Sequence, residues 1–270
     1  MVNNYYVIDA HCHIYPDKIA ERAVAGTSNF YNQPFAAKGT VADLMKVGGA
    51  AGIDKFIVQS VATTPHQVMS INNFIAESVK ASGGKLFIGL GTLHPDTADL
   101  SGDIEHLKEL GLKGVKLHPD IQAFKIDDYR CLKIYEQCEK ENLPVLMHTG
   151  DNRYDYSNPN RLLPVLKIYT GLTVIGAHFG GWSIWDEAAE KLAGIQNFYV
   201  DCSSSMPYIS SDKTCEIIAR YGANRVLFGT DYPMWDPKSE IESLFKLNLT
   251  NEDYQKIFSL NAKKLFNIGD

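Results

Sequence analysis

Short apolar, β-branched runs alternate along the chain with longer stretches of helical periodicity. Runs at 5–8, 55–61, 86–93, 114–117, 144–147, 173–177, 198–200 and 225–228 read as eight strands. Several, such as the residues before His148 and His178, are apolar at both parities, as expected of strands covered on both faces of a parallel sheet. Between strands, Cys131, Ile134, Tyr135 and Cys138 recur at three- and four-residue spacing and predict one buried helical face. Thr40, Gly111 and the Thr250/Asp253 pair punctuate helix ends, and the last helix is expected to run on to Phe266. Strand starts recur roughly every 25 to 31 residues except for a first interval of about 50. Such a repeat predicts one α/β domain over residues 1–270, a single (β/α)8 TIM barrel. A doubly wound open sheet is the structural alternative, but no GxGxxG follows the first strand and no P-loop occurs.

The long first interval contains GTSNFYNQPFAAKG, at about 26–39, with no clear period. Because it follows strand one it is expected at the C-terminal mouth of the barrel, as a lid-like loop that lends Phe30, Tyr31 and Phe35 to a pocket. Composition adds exclusions. With 270 residues, 45% of them hydrophobic and 21% charged, the chain has ample material for a core. A net charge of −6 without any Lys/Arg-rich run argues against nucleic acid as a partner. The N-terminal residues lack the pattern of a signal peptide, and no apolar run approaches the ~18 residues of a membrane span. The expectation is a cytoplasmic protein with a small-molecule substrate and no membrane partner, with homodimer formation left open. Five cysteines, an odd number without a CxxC pair, read as reduced thiols, and strand alternation turns Cys12 away from its histidine neighbours.

The chemistry lies in where ionisable residues fall relative to the strands. Asp9, His11 and His13 end the first; Lys116 and His118 the fourth; His148 the fifth; His178 the sixth; Asp231 the eighth. In a barrel these ends converge on one mouth. His11 and His13, two apart, face the same way from a strand, the geometry a shared metal ion needs, and a further imidazole and a carboxylate complete a nitrogen/oxygen ligand set. Without cysteine in the set, Zn²⁺ is the default, and Mn²⁺, Fe²⁺ or Co²⁺ suit the same ligands.

The DAHCH, VKLHP, LMHTG, IGAHFGG and FGTDYP segments together resemble the amidohydrolase superfamily. The likeness is greatest to its amidohydrolase-2 branch of TIM-barrel metal-dependent hydrolases and decarboxylases, which includes aminocarboxymuconate-semialdehyde decarboxylase. It runs from Asp9 to the closing NAKKLF. The resemblance implies metal ligation by His11, His13, His148 and Asp231. It implies for His178 either activation of water or substrate beside one metal, or ligation of a second. Lys116 departs from the decarboxylase pattern and resembles a lysine that, carboxylated, bridges two metals in other members. A free amine facing substrate, or a structural lysine, are the other readings, so one or two ions are expected.

A divalent ion in such a set lowers the pKa of bound water and polarises a carbonyl, with Asp231 as general base and then acid. The leading expectation is therefore a hydrolase of an amide, lactone or ester. The runner-up is a non-oxidative decarboxylase of an aromatic or enol acid, and a catalytically inactive metal-binding barrel is the alternative from another class. Arg153 and Tyr154 are candidates to hold an anionic group, Arg153 as a bidentate fork. Trp182 and Trp185 either wall an aromatic pocket or begin a helix. His94 is a candidate support near the site, and His66 and His106 read as surface residues.

Overall fold

The structure, a computed structural model, describes residues 2–269. Its strands are β1 (Ile8–His13), β2 (Lys55–Gln59), β3 (Phe87–Gly89), β4 (Gly91–Thr92), β5 (Val115–Leu117), β6 (Val145–Met147), β7 (Val174–Gly176), β8 (Phe198–Asp201) and β9 (Val226–Leu227). The helices are α1 (Asp17–Tyr31), α2 (Val41–Ala51), α3 (Val68–Ala81), α4 (Leu100–Glu109), α5 (Pro119–Gln122), α6 (Tyr129–Lys140), α7 (Pro159–Ile168), α8 (Trp185–Leu192), α9 (Ser211–Tyr221), α10 (Pro237–Phe245), α11 (Asn251–Gln255) and α12 (Asn261–Phe266). Every strand pair is parallel, in the orders β1-β2-β3 and β4-β5-β6-β7-β8-β9. β3 and β4 are one barrel strand interrupted at Leu90, whose N–H reaches back to Val58 while that of Gly91 turns forward to Gly114, both at 2.9 Å. The ring closes where Ala10 N–H donates to Phe228 O (2.8 Å) and His13 N–H to Tyr232 O (2.6 Å). The result is the expected (β/α)8 barrel, with Ile8, Ile57, Leu90, Leu146, Ile175, Tyr199 and Leu227 filling the interior and a larger apolar layer between strands and helices.

Two local differences from the sequence reading bear on the site. The first strand lies at Ile8–His13 and not at 5–8: the polar pair Asp9 and His11 interrupts the apolar run, yet both are fully buried. Its register against β2 slips between Asp9 and Cys12, so Ala10 and His11 together oppose one partner residue. This bulge leaves Ala10 in the inner apolar cluster while His11 and His13 line the mouth and Cys12 joins the outer layer. The second difference is the 26–39 stretch, whose first part is not loop. Helix α1 continues through Gly26, Thr27 and Ser28 to Tyr31 and stops at Asn32, which takes a left-handed conformation (φ 50°).

Helix ends otherwise follow the expected chemistry. Thr40 caps α2 by accepting from Asp43 N–H, Thr250 caps α11 from Asp253 N–H, and Gly111 (φ +72°) turns the chain after α4. Trp185 opens α8, the helix-start reading of that residue, and is partly buried against the core, whereas Trp182 precedes the helix.

Candidate active site

Inward parity on several strands delivers polar residues to the mouth, His11 and His13 both from β1. Lys116 lies in the same register row as Leu146, Ile175 and Tyr199, so it rises out of the apolar interior, and it is fully buried. His148 directly follows β6, His178 lies two residues past the end of β7, and they are 1% and 3% exposed. Asp231 follows β9 at φ 56°, and Ser204 (φ 48°) and His178 (φ 58°) share that left-handed conformation, a clustering of uncommon backbone at strand ends that is typical of functional sites.

Hydrogen bonds fix which imidazole nitrogens carry protons. His11 Nδ1 lies 2.9 Å from Asp201 Oδ2 and donates to it, leaving the Nε2 lone pair free. His178 Nδ1 is 3.1 Å from Ser203 O, a carbonyl that can only accept, so Nε2 of His178 is also a lone pair. His148 Nε2 donates to Gly150 O at 3.0 Å, which frees Nδ1. These lone pairs meet head to head: His178 Nε2 is 3.1 Å from His148 Nδ1, and His11 Nε2 is 3.2 Å from His13 Nε2. Asp231 Oδ1 stands 3.3 Å and 3.5 Å from the latter two nitrogens. Ligands about 2.1 Å from one ion sit roughly 3.0–3.4 Å apart, so these spacings match the edges of a coordination polyhedron. Burial keeps His11, His13 and His148 well below the usual imidazole range and His178 at about 3, so all four are neutral donors. The residues therefore fit a divalent cation, with His11, His13 and Asp231 at one set of donors and His148 and His178 at the other.

Two charged groups complete the cluster. Burial pushes the Asp231 carboxyl up to about 7, opposed by the hydrogen bond from Ser204 and by Lys116. Ser204 Oγ donates to Asp231 Oδ2 at 2.7 Å and accepts from Trp235 Nε1 at 2.8 Å. Burial lowers the Lys116 ammonium to about 8, with Asp231 and Asp201 opposing the shift. Its Nζ donates to His11 Nε2 at 3.1 Å, so Lys116 touches the donor cluster directly. Asp201, Ser203 and Ser204 form the support that sequence reasoning missed. Asp201 Oδ1 accepts from the backbone N–H groups of His178 (3.2 Å) and Ser203 (3.0 Å), tying His11 to the β7 and β8 ends. The one available signal was that Asp201, two residues beyond Tyr199, shares its inward parity.

The cluster forms the floor of a cavity of about 880 Å³. Helix α1 forms one wall, presenting Ile19, Ala23, Phe30 and Tyr31, and Phe35 and Met234 add further apolar surface. Tyr31 OH lies 2.7 Å from His118 Nε2, and the His118 ring stacks on His148 with centroids 4.0 Å apart. Arg153 and Tyr154 depart from the anion-holding arrangement. The Arg153 fork engages Asp151 (Nε to Oδ1 2.9 Å, Nη2 to Oδ2 2.7 Å), Nη1 donates to Phe30 O, and the guanidinium lies 5.1–5.6 Å from the rings of Phe30, Tyr31, Tyr154 and Trp182. The physical reason is Asp151: a buried carboxylate two residues away captures the fork, and the arginine becomes a clasp on the C-terminal end of α1. His94 is buried but turned to the backbone of Asp96 (3.2 Å) and away from the cluster. His66 is exposed, and His106 pairs with Asn73.

A sequence family described as amidohydrolase matches residues 8–268. A 2-amino-3-carboxymuconate-6-semialdehyde decarboxylase of Dictyostelium discoideum is 31% identical over 118 residues, which are 41% of this chain and 32% of that relative's length. Among solved structures, a TIM-barrel protein from Bordetella bronchiseptica superposes with a TM-score of 0.81 at 22% identity, covering 97% of this chain and 98% of the other. A dihydroxybenzoic acid decarboxylase from a Polaromonas species, solved with bound manganese and the inhibitor 2-nitroresorcinol, gives 0.75 at 17% identity, covering 98% and 97%. With the family matched along nearly its whole length, the chain belongs to the amidohydrolase-2 family of metal-binding TIM barrels.

Proposed function

We propose that this protein is a divalent-metal-dependent, non-oxidative decarboxylase of a hydroxylated aromatic or enol carboxylic acid. The observation that carries the reading is the position of Asp231, a buried carboxyl whose Oδ1 stands 3.3 Å from His11 Nε2 and 3.5 Å from His13 Nε2 and whose Oδ2 accepts from Ser204, where it can pass a proton to a substrate carbon held over the cluster. The decarboxylase names of the relative and of the manganese-bound structure support it. Hydrolysis ranks first on sequence alone and uses the same groups, with Asp231 starting as a base; those names reverse the order.

A divalent cation, Mn²⁺ or Zn²⁺, held by His11, His13, Asp231 and the His148/His178 pair would supply Lewis acidity toward the substrate's carboxylate and hydroxyl oxygens. The chain's own groups do the rest. Phe30, Phe35 and Tyr31 wall the ring and exclude water. Lys116, directly beneath, adds positive charge that favours the acid's carboxylate. The bond between the ring carbon and the carboxylate carbon breaks, CO₂ departs, and the electron pair left on carbon takes the proton from Asp231, whose carboxylate Ser204 then stabilises. Incubating protein expressed with Mn²⁺ or Zn²⁺ with 2,6-dihydroxybenzoate and related acids in D₂O tests this. CO₂ release with one deuterium entering the ring is expected; inertness toward all such acids alongside turnover of lactones or amides would overturn it.

A further inference from the structure

The hydrogen bond between His118 and the Tyr31 hydroxyl is used by none of the steps above, and the local hydrogen bonds dictate its polarity. His118 is the residue preceding α5, and its Nδ1 accepts from the Ile121 backbone N–H at 3.3 Å. An accepting Nδ1 carries no proton, so the remaining ring proton of His118 sits on Nε2. The position is rigid: His118 N–H donates to Gln122 Oε1 at 2.8 Å, and the Gln122 amide donates to Ala62 O and Leu93 O at 2.8 and 2.9 Å. Nε2–H therefore points at the Tyr31 oxygen 2.7 Å away, and that oxygen is the acceptor. The phenolic proton of Tyr31 is left without a protein acceptor among the described residues, and Tyr31 lines the cavity above the cluster. Burial, with Asp231, Asp120 and Asp151, holds the proton on the Tyr31 hydroxyl, and the Arg153 guanidinium 5.3 Å from the same ring offsets part of that effect.

We propose that Tyr31 donates its hydroxyl proton as a hydrogen bond to an anionic oxygen of the ligand bound over the cluster, with His118 positioning and polarising it from behind. Helix α1 thereby supplies a specific donor and not only a cover. The inference rests on the reading of this cavity as the site for an oxyanion-bearing acid, and the experiment separates the two.

Histidine-¹⁵N NMR of Zn²⁺-loaded protein, with His118 assigned by difference against His118→Gln, is expected to show a protonated Nε2 and an unprotonated Nδ1. The reverse tautomer would mean that Tyr31 donates to His118, and would overturn the proposal without reference to any ligand. Calorimetric titration of 2,6-dihydroxybenzoate into parent and Tyr31→Phe proteins is expected to show about tenfold weaker binding in the variant, the ~1.4 kcal/mol of a single hydrogen bond to a charged acceptor. Metal content and hydrogen exchange of α1 should stay at parent values, since phenylalanine keeps the ring packing. Unchanged affinity, or lost affinity accompanied by faster exchange in α1, would reduce Tyr31 to a latch and refute the donor role. A parent that binds no hydroxybenzoate would sink the decarboxylase reading, while the tautomer would still decide the donor assignment.

Discussion

Asp201 decides what His11 can do. A carboxylate on Nδ1 fixes the tautomer that leaves Nε2 free and makes that nitrogen more basic, the arrangement that commonly backs a metal-binding imidazole. Asp201→Asn retains the shape but weakens the charge, and metal affinity is expected to fall 10- to 100-fold in a chelator competition assay. Asp231→Asn differs, because the lost group is also the acid. Turnover should drop by at least about 10²-fold, beyond what restored metal occupancy can recover; activity that returns to the parent level at saturating metal would remove Asp231 from its acid role. The ionisable strand-end residues were legible in the sequence because parallel strands buried on both faces leave polar groups only at the mouth. Asp201 and Ser203 were not, since a short polar run after a strand reads equally well as a loop.

At the level of elements, α1 shows the limit of pattern reading. Gly26, Thr27 and Ser28 are poor helix formers, and the stretch carries no apolar stripe of core type because its inner face looks onto a cavity and not a packed core. Tertiary contacts make the helix: the Arg153 clasp on Phe30 O and the packing of the Phe30 and Tyr31 rings against Tyr154 and Trp182 hold its last turn. Arg153→Ala is expected to accelerate hydrogen exchange in the last turns of α1 severalfold while leaving barrel amides unaffected. Helix α10 carries a different strain. Glu240 is 2% exposed with Oε2 unpartnered, and burial, then Asp9, Asp231 and Asp236, raise its carboxyl to about 8. A carboxyl raised in the folded state binds more protons folded than unfolded, so its contribution is complete below the unfolded value near 4.5 and is lost as pH rises through about 8. Glu240→Gln should abolish that part of the pH dependence. Denaturant titrations should find the variant more stable than the parent at pH 8 by about 1–3 kcal/mol and close to it at pH 4.5; curves that stay parallel would contradict this.

At the level of the whole molecule, the eight strand–helix units and their order were readable from periodicity alone, while the interruption at Leu90, the bulge in β1 and the backbone of Asp231 were not. Those features depend on how neighbouring strands pair and close, which a single strand's pattern does not contain. Among the described residues no helix is long and apolar enough to cross a membrane. The barrel brings residues as distant as His11 and Asp231 into contact, so cation binding should stabilise the entire fold: about 2.7 kcal/mol at a hundredfold excess over Kd, seen as a fall in Tm on chelation. The most direct measurement is a crystal structure of protein expressed with Mn²⁺ or Zn²⁺, with anomalous difference maps at the metal edge. The prediction is an ion within ~2.3 Å of His11 Nε2, His13 Nε2 and Asp231 Oδ1. A fully loaded preparation whose anomalous density lies away from these three atoms would contradict it.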